Sequence, residues 1–216
     1  MDTAHGNSRC ECFLDTFALS RARLWEGICD AVRACVAQGE HTLVIAHFPA
    51  TFGKAEQVLA TAGLPFAISP PRVTWDWLSD WILRSPPQII LTLAGALSSE
   101  IPARSDPAIQ QRLAVIVAER FPHPVPDRLL VEFFKRGAVP SQLGYYVALD
   151  DPTFASAGHD LLVEVMQQLG LDHQSLVSSQ LLSRRLQRVL SQRARHLSSW
   201  QPADSAEAWL AAHPPK

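Results

Sequence analysis

Four short and continuously apolar runs, each separated from the next by a segment with helical periodicity, constrain the fold of this chain most strongly. They are Thr42–Ala46, Ile89–Leu93, Leu113–Ala118 and Tyr145–Leu149. Strands that alternate with helices join through right-handed crossovers and pair in parallel. Because the runs show no polar alternation, helices are expected on both faces of the sheet. With a shorter extended piece at Phe66–Ile68, the pattern predicts a three-layer α/β fold with a mainly parallel sheet of about five strands.

Helical spacing predicts the segments around these strands. Between Asp15 and Gln38 apolar residues recur at intervals of four or seven, and Gly39 then follows as a residue that commonly ends a helix. Further helices are predicted over residues 51–62, Val73–Leu83, 126–136, 153–169, 174–198 and 204–212.

The predicted elements divide the chain into four parts. Residues 1–39 form an N-terminal helical segment whose first 12 residues are polar and frayed, and residues 40–152 form the α/β lobe. Residues 153–200 form a helical extension of the lobe, and residues 201–216 form a tail. A lobe of this length is within the usual size of one domain.

Composition excludes several classes of protein. With 47% hydrophobic residues the chain has enough apolar material for a core, which excludes wholesale disorder. No apolar run approaches the roughly 20 residues needed to cross a bilayer, and the N-terminus lacks the basic-then-apolar order of a secretory signal. The net charge of −2 provides no overall attraction to nucleic acid. We therefore expect a cytoplasmic protein without a transmembrane segment.

No metal site is expected from the sequence. Cys10 and Cys12 are spaced C-x-C rather than the C-x2-C of structural zinc, and no second ligand pair follows. The four cysteines are interpreted as reduced thiols of a cytosolic protein. Asp150 and Asp151 suit either a Mg²⁺ ion or the cap of the next helix, and the cap is favoured because Asp151 precedes a proline.

Candidate binding loops follow the strands, because open parallel sheets bind ligands at the carboxyl ends of their strands. The first loop, His47–Lys54, contains Gly-Lys but lacks the G-x4-G-K-[ST] spacing that cradles phosphates. Glu119 and Arg120 follow the third strand, where they form either a charged functional site or a structural ion pair. The sequence leaves these two alternatives open.

Several short motifs between residues 42 and 197 resemble those of one protein family. Ala94–Gly95 match the Ala-Gly of a T-N-M-A-G-R-G-T-D motif, and Ile116–Arg120 is similar to I-I-G-T-E-R. Tyr145–Asp151 is similar to F-Y-L-S-L-E-D, and Val165–Leu171 is similar to M-x-K-L-G-M. The chain thus resembles the second nucleotide-binding lobe of the SecA preprotein translocase motor, with the start of its helical scaffold. This resemblance implies a RecA-like fold of the helicase C-terminal type.

The departures from the family pattern bear on catalysis. In that family ATP lies between two lobes, and arginines of the second lobe stabilise the charge of phosphoryl transfer. Val131 and Phe133 stand where two of these arginines are expected, and only Arg136 falls on the third. The resemblance therefore implies a pseudo-ATPase without a cofactor of its own, which takes ATP only together with a partner lobe. The residues expected to keep a residual nucleotide contact are Glu119, Arg120, Asp127 and Arg136.

Two groups of residues are predicted to contact a partner. Trp77 and Trp81 share one helix face, and Phe133 belongs to an apolar stretch where the motor has a charged groove wall. An amphipathic helix within residues 174–198 carries a basic face made by Arg184, Arg188 and Arg195. Each group has a second interpretation, as core packing for the aromatic residues and as a solvated helix face for the arginines.

Three functions are carried forward. The leading hypothesis is a catalytically degenerate SecA-like lobe that acts as a non-catalytic protein-binding or regulatory module linked to protein export. The second is one lobe of a split ATP-dependent preprotein translocase motor, completed in trans by a separate first lobe. The third is an RNA-binding accessory that uses the basic helix, and this helix also suits peripheral contact with anionic lipid.

Overall fold

A computed structural model describes residues 10–98, 111–137, 139–151, 153, 175–195, 197 and 203–214. The described strands are β1 Cys10–Cys12, β2 Thr16–Ala18, β3 His41–Ala46, β4 Phe66–Ile68, β5 Ile89–Leu93, β6 Leu113–Val117, β7 Ser141–Ala148 and β8 Leu176–Ser178. The described helices are α1 Arg21–Ala37, α2 Pro49–Thr61, α3 Trp75–Arg84, α4 Pro124–Arg136, α5 Gln180–Ala194 and α6 Ala206–Ala212.

The strands form one sheet in the order β4-β5-β3-β6-β7-β2-β8, and β1 also pairs with β7. Every pairing is parallel except that of β2 with β8. The apolar runs that predicted the central strands form β3, β5, β6 and the C-terminal half of β7. The predicted mainly parallel α/β architecture is therefore confirmed.

Helices cover both faces of the sheet. On one face, α1 and α2 pack through buried residues such as Ile28 and Leu59 against the sheet. On the other face, α3 and α4 pack through Leu78, Leu130 and Phe134. The α5 helix forms a separate cluster with β2 and β7, to which it contributes Leu182, Leu186 and Leu190. The continuously apolar strands are thus buried from both sides, as their composition predicts.

The N-terminal segment differs from its prediction. The helix predicted over Asp15–Gln38 begins only at Arg21, after the Ser20 side chain caps the backbone N–H of Arg23. Before it, Thr16–Ala18 pairs with both β7 and β8, and Cys10–Cys12 pairs with β7 instead of fraying. Pairing with strands that are distant in sequence overrides the local helical spacing here.

The same effect divides the helix predicted over residues 174–198. Leu176–Ser178 pairs with β2, and the helix begins only after Ser179, whose hydroxyl accepts the backbone N–H of Leu182. The described sheet therefore has eight strands rather than about five. The helix predicted over 153–169 lies outside the described residues, apart from Thr153, and the division of the chain into four parts stays a prediction.

Among the helices that the structure describes, none combines the length and the apolar character that a membrane span requires.

Gly137, just after α4, lies against the indole ring of Trp75. A Cβ atom at this position would overlap that ring, which is buried and stacks on Phe133 with ring centroids 4.8 Å apart. Since the ring also donates a hydrogen bond from Nε1 to the Phe133 carbonyl at 3.0 Å, it has little freedom to move. We expect Gly137→Ala to lower the free energy of unfolding by about 1–3 kcal/mol in urea titrations.

The matched control is Gly53→Ala in the exposed part of α2, where a Cβ would meet no atom within 4 Å. This change is expected to raise the free energy of unfolding by roughly 0.5–1 kcal/mol, because alanine favours the helical conformation more than glycine does. Equal effects of the two substitutions would contradict the close packing of Trp75 against residue 137.

Candidate functional site

The central strands end at a crevice where their connections leave in opposite directions. The chain leaves β3 into α2 on one face of the sheet, and it leaves β6 into α4 on the other face. These two strands are hydrogen-bonded neighbours. Crevices of this kind, outside the carboxyl ends of parallel strands, are the usual ligand sites of open α/β sheets. We therefore treat the loops after β3, β5 and β6 as the candidate functional site.

Glu119 occupies the N-terminus of α2 from the end of β6. Its Oε1 accepts the backbone N–H groups of His47 and Phe48 at 2.9 and 3.1 Å, and its Oε2 accepts the Thr51 hydroxyl at 2.7 Å. The N-cap residue itself is Phe48, whose side chain offers no acceptor. A carboxylate from a distant part of the chain therefore satisfies donors that a helix N-terminus leaves open.

The surroundings of Glu119 change its acidity. Burial raises the pKa of this carboxyl from 4.5 to about 7, although nearby His47 and the three hydrogen-bond donors favour the ionised form. In the folded protein the proton is therefore held at pH values where the unfolded chain has released it.

This difference predicts a pH dependence of stability. Between pH 4.5 and about 7 the folded state binds more protons at Glu119 than the unfolded state does, so the free energy of unfolding falls as the pH rises. The loss for this group alone is on the order of 3 kcal/mol. Urea titrations of the wild type and of Glu119→Gln at pH 5 and pH 8 measure it. The wild type is expected to lose stability relative to the variant, and parallel pH profiles would contradict the prediction.

Arg120 lies in a buried network on the opposite side of the β6 end. Its Nε is 3.1 Å from Oδ1 of Asp15, its Nη1 is 3.1 Å from Oδ2 of Asp127, and its Nη2 also contacts Asp15. The guanidinium carbon lies 3.3 Å from the centroid of the Tyr145 ring. Of the two interpretations left open by the sequence, the structural ion pair describes Arg120, but its partners are Asp15 and Asp127 rather than Glu119.

Asp127 joins this network to the loop after β3. His47 Nε2 lies 2.8 Å from Asp127 Oδ1, an ion-pair distance without the alignment of a hydrogen bond. The backbone N–H of Phe121 also points to Oδ1, at 3.4 Å, and the Tyr145 hydroxyl donates to the Asp127 carbonyl at 3.3 Å. Glu119, Arg120 and Asp127 thus all make internal contacts, and a nucleotide contact at these three residues stays a prediction.

Arg136 differs from the other three predicted nucleotide contacts. It lies at the exposed end of α4, and no described residue forms a hydrogen bond or an ion pair with it. It borders a pocket of about 390 Å³ at the carboxyl edge of the sheet. The wall of this pocket is mainly apolar and includes Trp75, Leu97, Phe121, Leu129, Leu130 and Phe133. The pocket therefore suits an apolar group, with one guanidinium at its side.

The aromatic residues predicted to contact a partner are mostly buried. Trp81 is 8% exposed and donates from Nε1 to the Gln88 side chain at 3.3 Å, and Phe133 is 7% exposed and stacks on Trp75. Trp77 is half-buried and stacks on Trp81 with ring centroids 6.0 Å apart. Of these three predicted residues, Trp77 presents the most surface to solvent.

The basic helix face has the predicted amphipathic arrangement. On α5 the buried residues are Leu182, Ser183, Leu186 and Leu190, whereas Arg184 and Arg188 are exposed. Arg195, which caps the helix C-terminus, is also exposed. The three guanidinium groups are therefore accessible to a partner.

Sequence reasoning missed the C-terminal segment as part of this site. Trp209 of α6 is fully buried and packs edge-on against Phe121, with ring centroids 5.5 Å apart. The carbonyl of Asp204 accepts the backbone N–H of Ala50 at 2.9 Å, directly at the start of α2. The local signal was a tryptophan in a short predicted helix, but its place over the crevice depends on the tertiary fold.

Asp150 and Asp151 act as caps and turn residues. Asp150 Oδ1 accepts the backbone N–H of Arg21 at 2.8 Å, and Asp151 Oδ1 accepts that of Thr153 at 2.8 Å. Within the described residues, no three His, Cys, Asp or Glu side chains are grouped closely enough to hold a metal ion. The favoured capping interpretation agrees with these contacts.

Comparisons with known proteins were made for the whole chain. No family model matches it, and no curated protein matches it. Among solved structures, the chain is similar to "Crystal structure of the C-terminal part of Fun30 ATPase domain", with 13% identity and a TM-score of 0.41. The match covers 77% of this chain, which spans about half (53%) of that structure's chain. This likeness does not show an activity for the chain, and it does not support membership of the SecA family.

Proposed function

We propose that this chain is a binding module built on a RecA-like lobe, which recognises a protein partner without hydrolysing a nucleotide itself. The observation that carries the proposal is the buried carboxylate of Glu119 at the N-terminus of α2. In nucleotide-binding α/β folds, the helix N-terminus after a central strand is where backbone N–H groups meet a phosphate. Here a carboxyl side chain of the protein itself already accepts these N–H groups.

Two further contacts support the absence of turnover. The Asp204 carbonyl takes the N–H of Ala50, and Trp209 packs over Phe48 and Phe121 beside it. A phosphate at this position would have to displace the C-terminal segment and also the Glu119 carboxyl group, which already accepts the backbone N–H groups. Both effects weaken phosphate binding at α2.

The residues that replace the family's arginines give independent support. Phe133 stacks on Trp75 in the core, and Val131 packs against the same cluster. An apolar side chain provides no bidentate contact to a phosphate. The lobe has thus exchanged a charged wall for hydrophobic packing.

The partner surface that we propose is the exposed basic face of α5. Arg184, Arg188 and Arg195 are solvent-accessible, whereas Trp81 and Phe133 are mainly buried. An acidic protein surface complements such a face and would bind faster at low ionic strength. A setting in protein export and a cytoplasmic location remain expectations from the resemblance and the composition.

Calorimetry with Mg-ATP and a phosphate-release assay test the first part of the proposal on the full chain. We expect no heat of binding in calorimetry and no release of phosphate from ATP. ATP hydrolysis by the purified chain that is lost in Arg136→Ala would overturn the proposal.

Affinity capture from a native lysate tests the second part. The partner is expected to be retained by the wild type and by the control variant Arg84→Glu. Arg84 is an exposed arginine on a different helix, α3. The partner is expected to be lost from the double variant Arg184→Glu, Arg188→Glu. If the retained material is RNA, removed by nuclease and by salt with a steep dependence, the accessory function replaces the protein-binding one.

One observation favours a second candidate, the split motor. Arg136 is exposed at the pocket and has no ion-pair partner among the described residues. It is therefore free to reach a phosphate held by a separate first lobe. Reconstituted activity that falls by 10³-fold or more (on the order of an arginine finger) in Arg136→Ala would support this candidate, and unchanged activity would remove it.

A further inference from the structure

Two thiols lie side by side on the first strand. Cys10 and Cys12 occupy alternate positions of β1, so their side chains point to the same face of the sheet. Their sulfur atoms are 3.9 Å apart. Cys10 is buried in the core beneath α4, whereas Cys12 is exposed to solvent. The Cys12 sulfur is therefore accessible to a reagent, and the Cys10 sulfur lies next to it.

The surroundings make Cys12 the more acidic of the pair. A hydrogen bond from the Cys10 thiol and the positive charges of Lys135 and Arg120 lower the pKa of Cys12 to about 6, although partial burial opposes this. The same pairing, together with burial, raises the pKa of Cys10 far above its usual value. Burial also raises the pKa of Cys29 and that of Cys35. Both shifts act in the same sense, so the exposed sulfur of Cys12 loses its proton more readily than the neighbouring sulfur of Cys10.

We propose that Cys10 and Cys12 form a redox-active pair, in which a hydroperoxide oxidises Cys12 and Cys10 then closes an intramolecular disulfide. In the first step the Cys12 thiolate attacks the peroxide, the O–O bond breaks, and Cys12 sulfenic acid and hydroxide form. In the second step the Cys10 sulfur attacks the Cys12 sulfur, an S–S bond forms, and water leaves with the Cys10 proton. The two sulfurs together lose two electrons, and the peroxide gains them.

The disulfide would alter the strand that carries it. An S–S bond of about 2.05 Å requires the two sulfurs to approach to nearly half of their present separation. Because β1 pairs with β7 through Cys10, Glu11 and Cys12, drawing residues 10 and 12 together disturbs that register. Asp15, which begins the ion-pair network of Arg120, follows three residues later. Oxidation is thus expected to loosen this edge of the sheet reversibly, until a dithiol reductant opens the bond.

Trypsin and mass spectrometry provide a direct test with hydrogen peroxide as the probe. Cleavage after Arg9 and Arg21 places both sulfurs in one peptide, residues 10–21, while Cys29 and Cys35 fall in separate peptides. After sub-stoichiometric peroxide treatment, peptide 10–21 is expected to lose about 2 Da, which dithiothreitol reverses. In Cys10→Ser, Cys12 is instead expected to form a sulfenic acid that dimedone traps. In Cys12→Ser, neither product should appear.

The reactivity of the thiols adds a second readout that does not depend on disulfide formation. Iodoacetamide at pH 7 is expected to alkylate Cys12 on the order of 10-fold faster than Cys35 in the folded wild type. Cys35→Ser is the matched control, and it should leave the peroxide product at residues 10–21 unchanged. Equal alkylation rates, a disulfide that involves Cys29 or Cys35, or dimers linked through Cys12 would each overturn the proposal.

Discussion

Replacing Arg120 with methionine is expected to lower the free energy of unfolding by about 3–5 kcal/mol. The substitution leaves two carboxylates, those of Asp15 and Asp127, which are only 1% and 5% exposed, without their shared counter-charge. Methionine fills a similar volume, so the loss reports the missing charge rather than a cavity. Urea titration monitored by tryptophan fluorescence measures the effect.

The control for this prediction is Arg128→Met. Arg128 is an exposed residue of α4, the helix that also carries Asp127. That change is expected to alter stability by less than about 0.5 kcal/mol. Adding Asp15→Asn to Arg120→Met should recover part of the loss, because one uncompensated charge is removed with its former partner. A loss below about 1 kcal/mol for Arg120→Met would contradict the buried network.

The second large effect is expected for Trp209→Ala. Trp209 is fully buried between Phe121 and the stacked ring of His213, and it attaches the short helix α6 to the carboxyl edge of the sheet. Removing a buried tryptophan costs about 3–5 kcal/mol. Hydrogen exchange offers a local readout, because the N–H of Ala50 loses its Asp204 acceptor when α6 detaches.

Glu207→Ala on the same helix is the matched control. Glu207 is half exposed, and its ion pair with Arg21 at 3.2 Å lies at the surface. Its loss is expected to cost less than about 1 kcal/mol and to leave the exchange of Ala50 unchanged. If Trp209→Ala exchanged Ala50 at the wild-type rate, α6 would not be what protects the start of α2.

The sequence predicted the centre of this fold better than its edges. The runs Ile89–Leu93 and Leu113–Ala118 are buried on both faces, so their apolar composition alone marks them as inner strands. The strand Thr16–Ala18 has no long apolar run of this kind. Its conformation depends on pairing with β7 and β8, which a local sequence pattern does not indicate.

The candidate site shows the same division. Glu119 and Arg120 were recognised because charged residues at a strand end are conspicuous, and their position at the crevice is as predicted. Their contacts were beyond local reasoning, because Thr51 and Asp15 come from distant parts of the chain. Only the folded structure reveals that three of the predicted ligand-binding residues, Glu119, Arg120 and Asp127, bind other parts of the protein.

The position of β2 has a consequence for how the chain folds. This strand lies between β7 and β8, so residues 16–18 pair with residues 146–148 on one side and 176–178 on the other. On a ribosome, β2 would have no partner strand until β7 and then β8 had been synthesised. Contacts of such large sequence separation carry a high loop-closure entropy and slow the folding reaction. We expect this edge of the sheet to form last and, in the mature protein, to be the first to open.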